Sequence, residues 1–383
     1  MLAAMDTITH AISGALLARL LHVRPATAGA TVATPSASSA SSASPSTPSS
    51  TAPLWTQVLT GTVAGAFPDI DSLTQLGGDV LYLTQHRGYT HALALVPLWG
   101  WLVAWLVAAC LRARASARAL YLSACGGIAI HIAGDWITPF GTLMGLPFTD
   151  TRYGLGVMFI IDLAFTGLLL GGCALAALWP RRRWPAALGL LASVGWVVLA
   201  WVGQQEALAV GQQRAVALGW RDATVVAMPR PASPFNWTVA VSDGNRYELA
   251  DVNTRRREPL QAGPDANFIT RFSAPYQPVT GLSWRTASRW GDPAAADAAK
   301  AAETAAIARA AWDHPTFAFY RWFAVVPHLV EAGVRPEGRC ATFGDLRFGF
   351  PGREEAPFRY EVCVREDGSA QRYKRDGLSR LPI

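Results

Sequence analysis

The sequence predicts an α-helical integral membrane domain over residues 1–203, with about six short helical passes, followed by a smaller α+β soluble domain over residues 204–383. Three observations carry that prediction. Hydrophobic residues make up 51% of the 383 and charged residues 16%, well below the roughly one-quarter charged residues of a soluble globular domain. The deficit lies before residue 204, where residues 92–111, 120–134, 156–179 and 184–203 are apolar runs, several of them near the roughly 20 residues needed to span hydrocarbon. Beyond that point the runs give way to short alternating segments bounded by turn residues.

Residues 1–23 make a poor signal peptide, because Asp6 stands in place of a basic start, His10 interrupts the apolar run and no small-x-small cleavage site follows. Residues 9–22 instead read as a short retained helix. The Ser/Ala/Thr/Pro tract at 26–53 has too few large apolar groups to fold and reads as a disordered linker. A second short helix covers residues 54–67 and is stopped by Pro68. Gly77-Gly78 marks a loop, and Thr90 is a suitable N-cap for the apolar run that follows.

In the second half, residues 204–218 read as a helix and residues 223–228, 237–242 and 247–252 as strands, with Asp243-Gly244 as a hairpin turn. An Ala-rich helix at 294–312 separates these from strands at 342–348, 358–364 and 370–373.

Arginines give the orientation, since Lys and Arg accumulate in short cytoplasmic loops. Arg112, Arg114 and Arg118, then Arg181, Arg182 and Arg183, and Arg19 with Arg24 mark the inner helix ends. Tracing the chain from them puts His10, Asp69, Asp71, His86, His91, His131 and Asp135 at the opposite ends. Both termini and the soluble domain then lie outside, where an oxidising compartment permits a Cys340–Cys363 bond. Cys110, Cys125 and Cys173 lie in apolar segments and read as small packed hydrophobes. The net charge of +6 is divided between loops and tail, so no single basic patch for nucleic acid is expected. Trp55, Trp99, Trp136 and Trp184 fit an interfacial belt.

Those seven His and Asp residues are the candidate metal ligands. Ionisable groups in an apolar setting are costly unless paired or metal-bound. His131 and Asp135 at i and i+4 lie one above the other on a helix, roughly 5 to 6 Å apart at Cβ. His86 and His91 flank Gly88 and point to different places. Asp69 and Asp71 face opposite ways if extended, so that one serves as a ligand and the other orients a histidine or holds a second ion. Neutral imidazole with carboxylate suits a divalent metal, zinc first and manganese, iron or nickel next, as one or two ions. Asp71 and Arg87 are the candidate catalytic groups, Arg87 as the cation for a developing oxyanion. Arg152 is a second cation for an anionic substrate or an interfacial side chain. Asp162, about four residues into the helix at 156–179, pairs with Arg152 or faces the cluster. Thr138 and Thr142 shape their loop. His22, His314 and His328 lack such company and read as packed side chains, and Asp243, Asp251 and Asp345 as turn or surface residues.

The blocks Asp6-Thr-Ile-Thr-His10, Phe67-Pro-Asp-Ile-Asp71, His86-Arg-Gly-Tyr-Thr-His91, His131 to Asp135 with Trp136-Ile-Thr-Pro-Phe-Gly-Thr142, and Phe159-Ile-Ile-Asp162 resemble, in that order, the inner-membrane metal-dependent hydrolase family that includes the YdjM-like proteins. The resemblance covers residues 1–203; the tract at 26–53 looks like an insertion. It implies a multi-pass hydrolase of the bacterial inner membrane, with some members linked to the LexA damage response. The ligand order is also similar to that of zinc-dependent phospholipase C, which favours a phosphoester or lipid-linked substrate. Membrane lipids and a small or lipid-linked substrate are the expected partners. The competing reading is a non-catalytic membrane protein with a structural metal and a C-terminal interaction domain. A transporter fits less well, because the charged groups lie at helix ends and not at the midplane.

Overall fold

The computed structural model describes residues 2–22, 52–112, 117–292, 296–353, 355–377 and 379–383. The expected linker at 26–53, apart from Ala52 and Pro53, and Arg24 and Arg114 lie outside the described residues. The chain folds as two compact units: Met1–Pro68, Thr90–Ala133 and Gly167–Leu191 form the first, and Asp69–Tyr89, Gly134–Thr166 and Ala192–Ile383 the second.

The first unit is helical. It contains α1 (Leu2–Leu21), α2 (Leu54–Ala66) and α4 (Val96–Cys110), with the larger parts of α5 (Ala117–Trp136) and α6 (Leu163–Leu178) and the start of α7 (Trp184–Ala217). Small residues let these helices approach closely. A Cβ on Gly61 would stand 2.5 Å from both the Ala18 Cβ and the Gly14 carbonyl oxygen. A Cβ on Gly127 would stand 2.7 Å from the Gly61 carbonyl oxygen and 2.8 Å from the Ala64 Cβ. Gly172 and Gly189 meet in the same way, a Cβ on either reaching within 2.8 Å of the other's Cα. Where lipid removes the hydrophobic drive between helices, such close backbone approach is what van der Waals packing requires. The arginine ends that the sequence groups together also meet: Arg19 donates to the carbonyls of Trp179 and Pro180 at 3.1 and 2.9 Å, and Arg183 donates to that of His22.

Among the described residues two helices are long and apolar enough to cross a membrane, Leu93–Cys110 and Trp184–Ala217, and Thr7–Leu21 and Leu163–Leu178 are shorter apolar helices. The helices expected at 184–203 and 204–218 are one helix of 34 residues, about 50 Å long, because Gly203 and Gln204 do not interrupt it. The helix expected from residue 156 begins at Leu163, and the one expected from Thr90 begins at Val96.

In the second unit, α3 (Asp79–Gln85), α8 (Phe268–Ser273), α9 (Ala298–Asp313) and α10 (Ala318–Phe323) accompany two antiparallel sheets. The first sheet is a meander of β1 (Thr224–Pro229), β2 (Asn236–Ser242), β3 (Arg246–Asn253) and β4 (Arg285–Ser288). The second runs in sequence order through β5 (Pro327–Arg335), β6 (Gly338–Asp345), β7 (Arg359–Val364), β8 (Ala370–Asp376) and β9 (Ser379–Pro382). Cys340 and Cys363 stand directly opposite across β6 and β7 and are joined by a disulfide. An aromatic core of Trp312, Phe317, Tyr320, Phe323, Phe343 and Tyr360 also takes in Leu83 of α3 and Phe140. Two side chains of the N-terminal half, Leu83 on a short helix and Phe140 on a loop, are therefore packed into the C-terminal sheet layer.

Candidate metal centre

In the first unit, three histidines converge. α1 brings His10, a 3-10 turn at Tyr89–His91 brings His91, and α5 brings His131. The His131 ring lies 3.9 Å from the His10 ring and 4.9 Å from the His91 ring between centroids, and all three residues are buried. The glycine seams explain the meeting: His10, Gly14 and Ala18 follow at intervals of four on α1, Gly61 and Gly65 on α2, and Gly127 and His131 on α5. The same stripe that permits close approach delivers the His10 and His131 imidazoles at its end, and the 3-10 turn adds His91.

Hydrogen bonds fix the rings. His131 Nδ1 is 2.6 Å from the Gly65 carbonyl oxygen, an acceptor, so Nδ1 carries the proton and Nε2 the lone pair of the neutral ring. Nε2 of His131 is 3.0 Å from Nε2 of His91, whose Nδ1 is 2.9 Å from the Thr90 hydroxyl. An imidazole that donates one nitrogen to a backbone carbonyl and turns the other toward a second imidazole has the arrangement of a metal-bound histidine. Two tetrahedral ligands of one zinc at 2.0 to 2.1 Å stand about 3.3 Å apart, close to the observed spacing. The residues present therefore fit a divalent ion. Groups of His and Asp that could hold one occur among the described residues, and His131 belongs to them. The third such group, Cys340 and Cys363 with Glu361, is taken up by the disulfide.

Asp135 lies one turn beyond His131 on α5. Within the second unit its carboxylate is 2.8 Å from an Arg87 guanidinium nitrogen, both groups buried. Arg87 also donates to the Thr138 hydroxyl at 2.7 Å, and that hydroxyl donates to the Asp135 carbonyl at 2.8 Å. Asp71 accepts from the Arg87 backbone N–H at 2.9 Å and stands 2.7 Å from His86 Nδ1. Arg87 has φ 58°, a left-handed conformation costing about 1 to 2 kcal/mol outside glycine. Its backbone and side-chain bonds to two carboxylates offset that strain. Asp69 is half-buried, and its carbonyl accepts from the Ser72 hydroxyl at 2.6 Å.

The structure thus gathers His10, His91 and His131 in the first unit and Asp71, His86, Arg87 and Asp135 in the second. Three expectations change. Arg152 neither faces an open site nor pairs with Asp162. It lies 4.6 Å from the Trp322 ring and donates to the carbonyls of Leu83, Gly141 and His86. Burial, with Arg347 and Arg87 nearby, pushes its pKa down to about 9. Asp162 precedes its helix as a cap, accepting from the Phe165 N–H at 2.9 Å and from the Trp196 indole N–H at 3.0 Å. Asp345 is fully buried, held by both Arg347 and the Val325 N–H.

The contributors that sequence reasoning missed are the Gly65 carbonyl and Arg347. The first is backbone and carries no residue signal beyond the Gly61/Gly65 spacing. Arg347, far away in the chain, donates to the Pro139 carbonyl at 2.8 Å and secures the loop after α5.

A family model described as YdjM inner membrane protein matches residues 5–207, more than half of the chain. An uncharacterized protein, YfhP, of Bacillus subtilis (strain 168) is 27% identical over 106 residues, which are 27% of this chain and 32% of that protein. The chain so matched spans about a third of the length of that curated relative. No solved structure matches the chain.

Proposed function

The chain belongs to the YdjM inner membrane protein family, and on that premise we propose that it is a membrane-bound, metal-dependent hydrolase of a phosphoester or lipid-associated substrate. The observation that supports the reading is the His10, His91 and His131 cluster, in which the Gly65 carbonyl orients His131 as a ligand. These three are the histidine ligands of the proposal, and Asp135, one helical turn from His131, is its carboxylate ligand. Asp69, which also belongs to one of the groups that could hold an ion, is a further ligand of the proposal. Zinc is the first choice among divalent ions, with one or two bound. When bound, such an ion supplies a water whose pKa is lowered to about 7 and a charge for the oxyanion. Asp71 holds His86 and Arg87 in place, and Arg87 keeps a buried cation beside the Asp135 carboxylate. A multi-pass topology with this face extracytoplasmic completes the proposal.

The test is a screen of purified full-length protein, in lipid, against phosphomonoesters, phosphodiesters and phospholipids. Turnover abolished by chelation, restored by added metal and reduced at least 100-fold by His91→Ala is the expected result. Full turnover in the chelated protein contradicts it. Complete burial of His91 and His131 favours one alternative, a structural ion, because catalytic metals keep a position open. Bound metal with no turnover across the screen selects that alternative. For topology, reporters fused after Arg118 and after Gln204 should report opposite sides of the membrane; the same side for both removes the six-pass arrangement.

A further inference from the structure

The segment Phe67–Gly77 is a 3-10 helix of 11 residues, much longer than the three or four residues at which such helices ordinarily stop. Because a 3-10 helix repeats every three residues, positions i and i+3 eclipse and the segment has three distinct faces. Phe67, Ile70, Leu73 and Leu76 occupy one of them. Asp71 and Thr74 occupy the second, and Asp69, Ser72 and Gln75 the third. The sequence is thus patterned with the period of this rare helix.

The apolar face is not core. Ile70, Leu73 and Leu76 are 52%, 60% and 88% exposed, a progressive emergence along one ridge. No charged side chain lies between Asp71 and Asp79, so no ionised group in the stretch resists leaving water. Two of its polar side chains turn onto the backbone, the Ser72 hydroxyl donating to the Asp69 carbonyl at 2.6 Å and the Thr74 hydroxyl to the Asp71 carbonyl at 2.5 Å, and Gln75 is exposed. Backbone groups satisfied within the segment are what an apolar phase demands. The ridge also follows directly in the chain on α2, whose Trp55, Leu59 and Val63 are exposed apolar side chains.

We infer that the Ile70–Leu73–Leu76 ridge inserts into the membrane interface, its occupant being the boundary between lipid headgroups and acyl chains. Asp69 and Asp71, on the other two faces, are thereby set at the depth of lipid headgroups. The inference does not depend on whether the metal centre is catalytic.

The test uses full-length protein reconstituted in phosphatidylcholine/phosphatidylglycerol vesicles. A polarity-sensitive fluorophore is attached at Leu76→Cys in a background with Cys110, Cys125 and Cys173 replaced by Ala, and at Asp367→Cys on an exposed hairpin as the aqueous reference. Expected is a blue-shifted emission at position 76, quenched at least twofold by lipids brominated near the headgroup and little affected by iodide, with the reverse at 367. Iodide quenching at 76 equal to that at 367 overturns the inference. So does a blue shift without bromolipid quenching, which means that protein covers the ridge. If the Leu76 variant does not fold, the same label at Leu73→Cys gives the same reading.

Discussion

The two units hide polar groups in opposite ways. In the first, helices meet through glycine and alanine, and the buried polar groups are three imidazoles and a few uncharged side chains, such as Ser13 and Thr60, whose hydroxyls donate to carbonyls of their own helix. In the second, an aromatic core surrounds arginines whose charges are met by carboxylates or by carbonyl oxygens. Glu361, fully buried, is 2.8 Å from Arg380 and 3.3 Å from Arg375, and Asp345 is 2.9 Å from Arg347. Each unit is vulnerable at a different point. Added volume breaks the first, whereas a lost charge partner breaks the second.

The largest effect separating them should come from Gly61→Leu. Its side chain would meet the Ala18 Cβ and the Gly14 backbone, and overpacking against backbone exceeds the roughly 1 to 3 kcal/mol of an adjustable core. Loss of the folded helical unit, followed by thermal unfolding in detergent, is expected; a wild-type melting temperature would break the small-residue account. A slightly smaller effect is expected from Asp345→Ala in the second unit, about 3 to 5 kcal/mol, because it strands the buried Arg347.

The same aspartate predicts a pH dependence. Burial alone would raise the Asp345 carboxyl, but the Arg347 guanidinium with the Arg347 and Val325 N–H groups holds it below the ordinary carboxylate range. Its contribution is therefore present above the ordinary value of about 3.9 and is lost as the pH falls through the lower folded value. Unfolding of the second unit should steepen below about pH 4, and Asp345→Asn should flatten that slope; an unchanged slope would show that another group governs acid unfolding.

Next comes the disulfide. Cys340 and Cys363 are 23 residues apart, so replacing both by Ser should cost about 3 kcal/mol. This loss should fall on the sheets alone, and an equal loss in the helical unit would mean that the two do not unfold separately. The smallest effect belongs to Asp243→Ala. The hairpin turn loses its bonds from the Asn245 and Arg246 N–H groups at 3.0 and 2.8 Å, about 1 kcal/mol in an exposed position.

Much of this was legible in the residues. The His131 and Asp135 interval on α5, the alternation in β2 and β3, and Asp243-Gly244 each have one reading that satisfies local chemistry, whereas the glycine and alanine seams come from the fold. Other elements were decided by distant partners. In the loop around Gly88 the left-handed residue is not the glycine but Arg87, held there by Asp71 and Asp135. Thr90 was a good cap by type, but its hydroxyl is used on His91. Asp345 resembled a turn residue because its partner Arg347 gains meaning only when both are enclosed by Phe323 and the β5–β6 pairing. α3 was hidden in a stretch whose burial comes from Leu83 packing among aromatic residues of the C-terminal core. Sequence periodicity reports faces of elements; it does not report what covers them.

Elemental analysis of purified full-length protein decides whether the three-histidine cluster holds a metal. One or two divalent ions per chain should be found, with loss of at least one in His131→Ala at unchanged helical circular dichroism. Unchanged metal content in His131→Ala, or none in the parent protein after purification in metal-supplemented buffer, would contradict it.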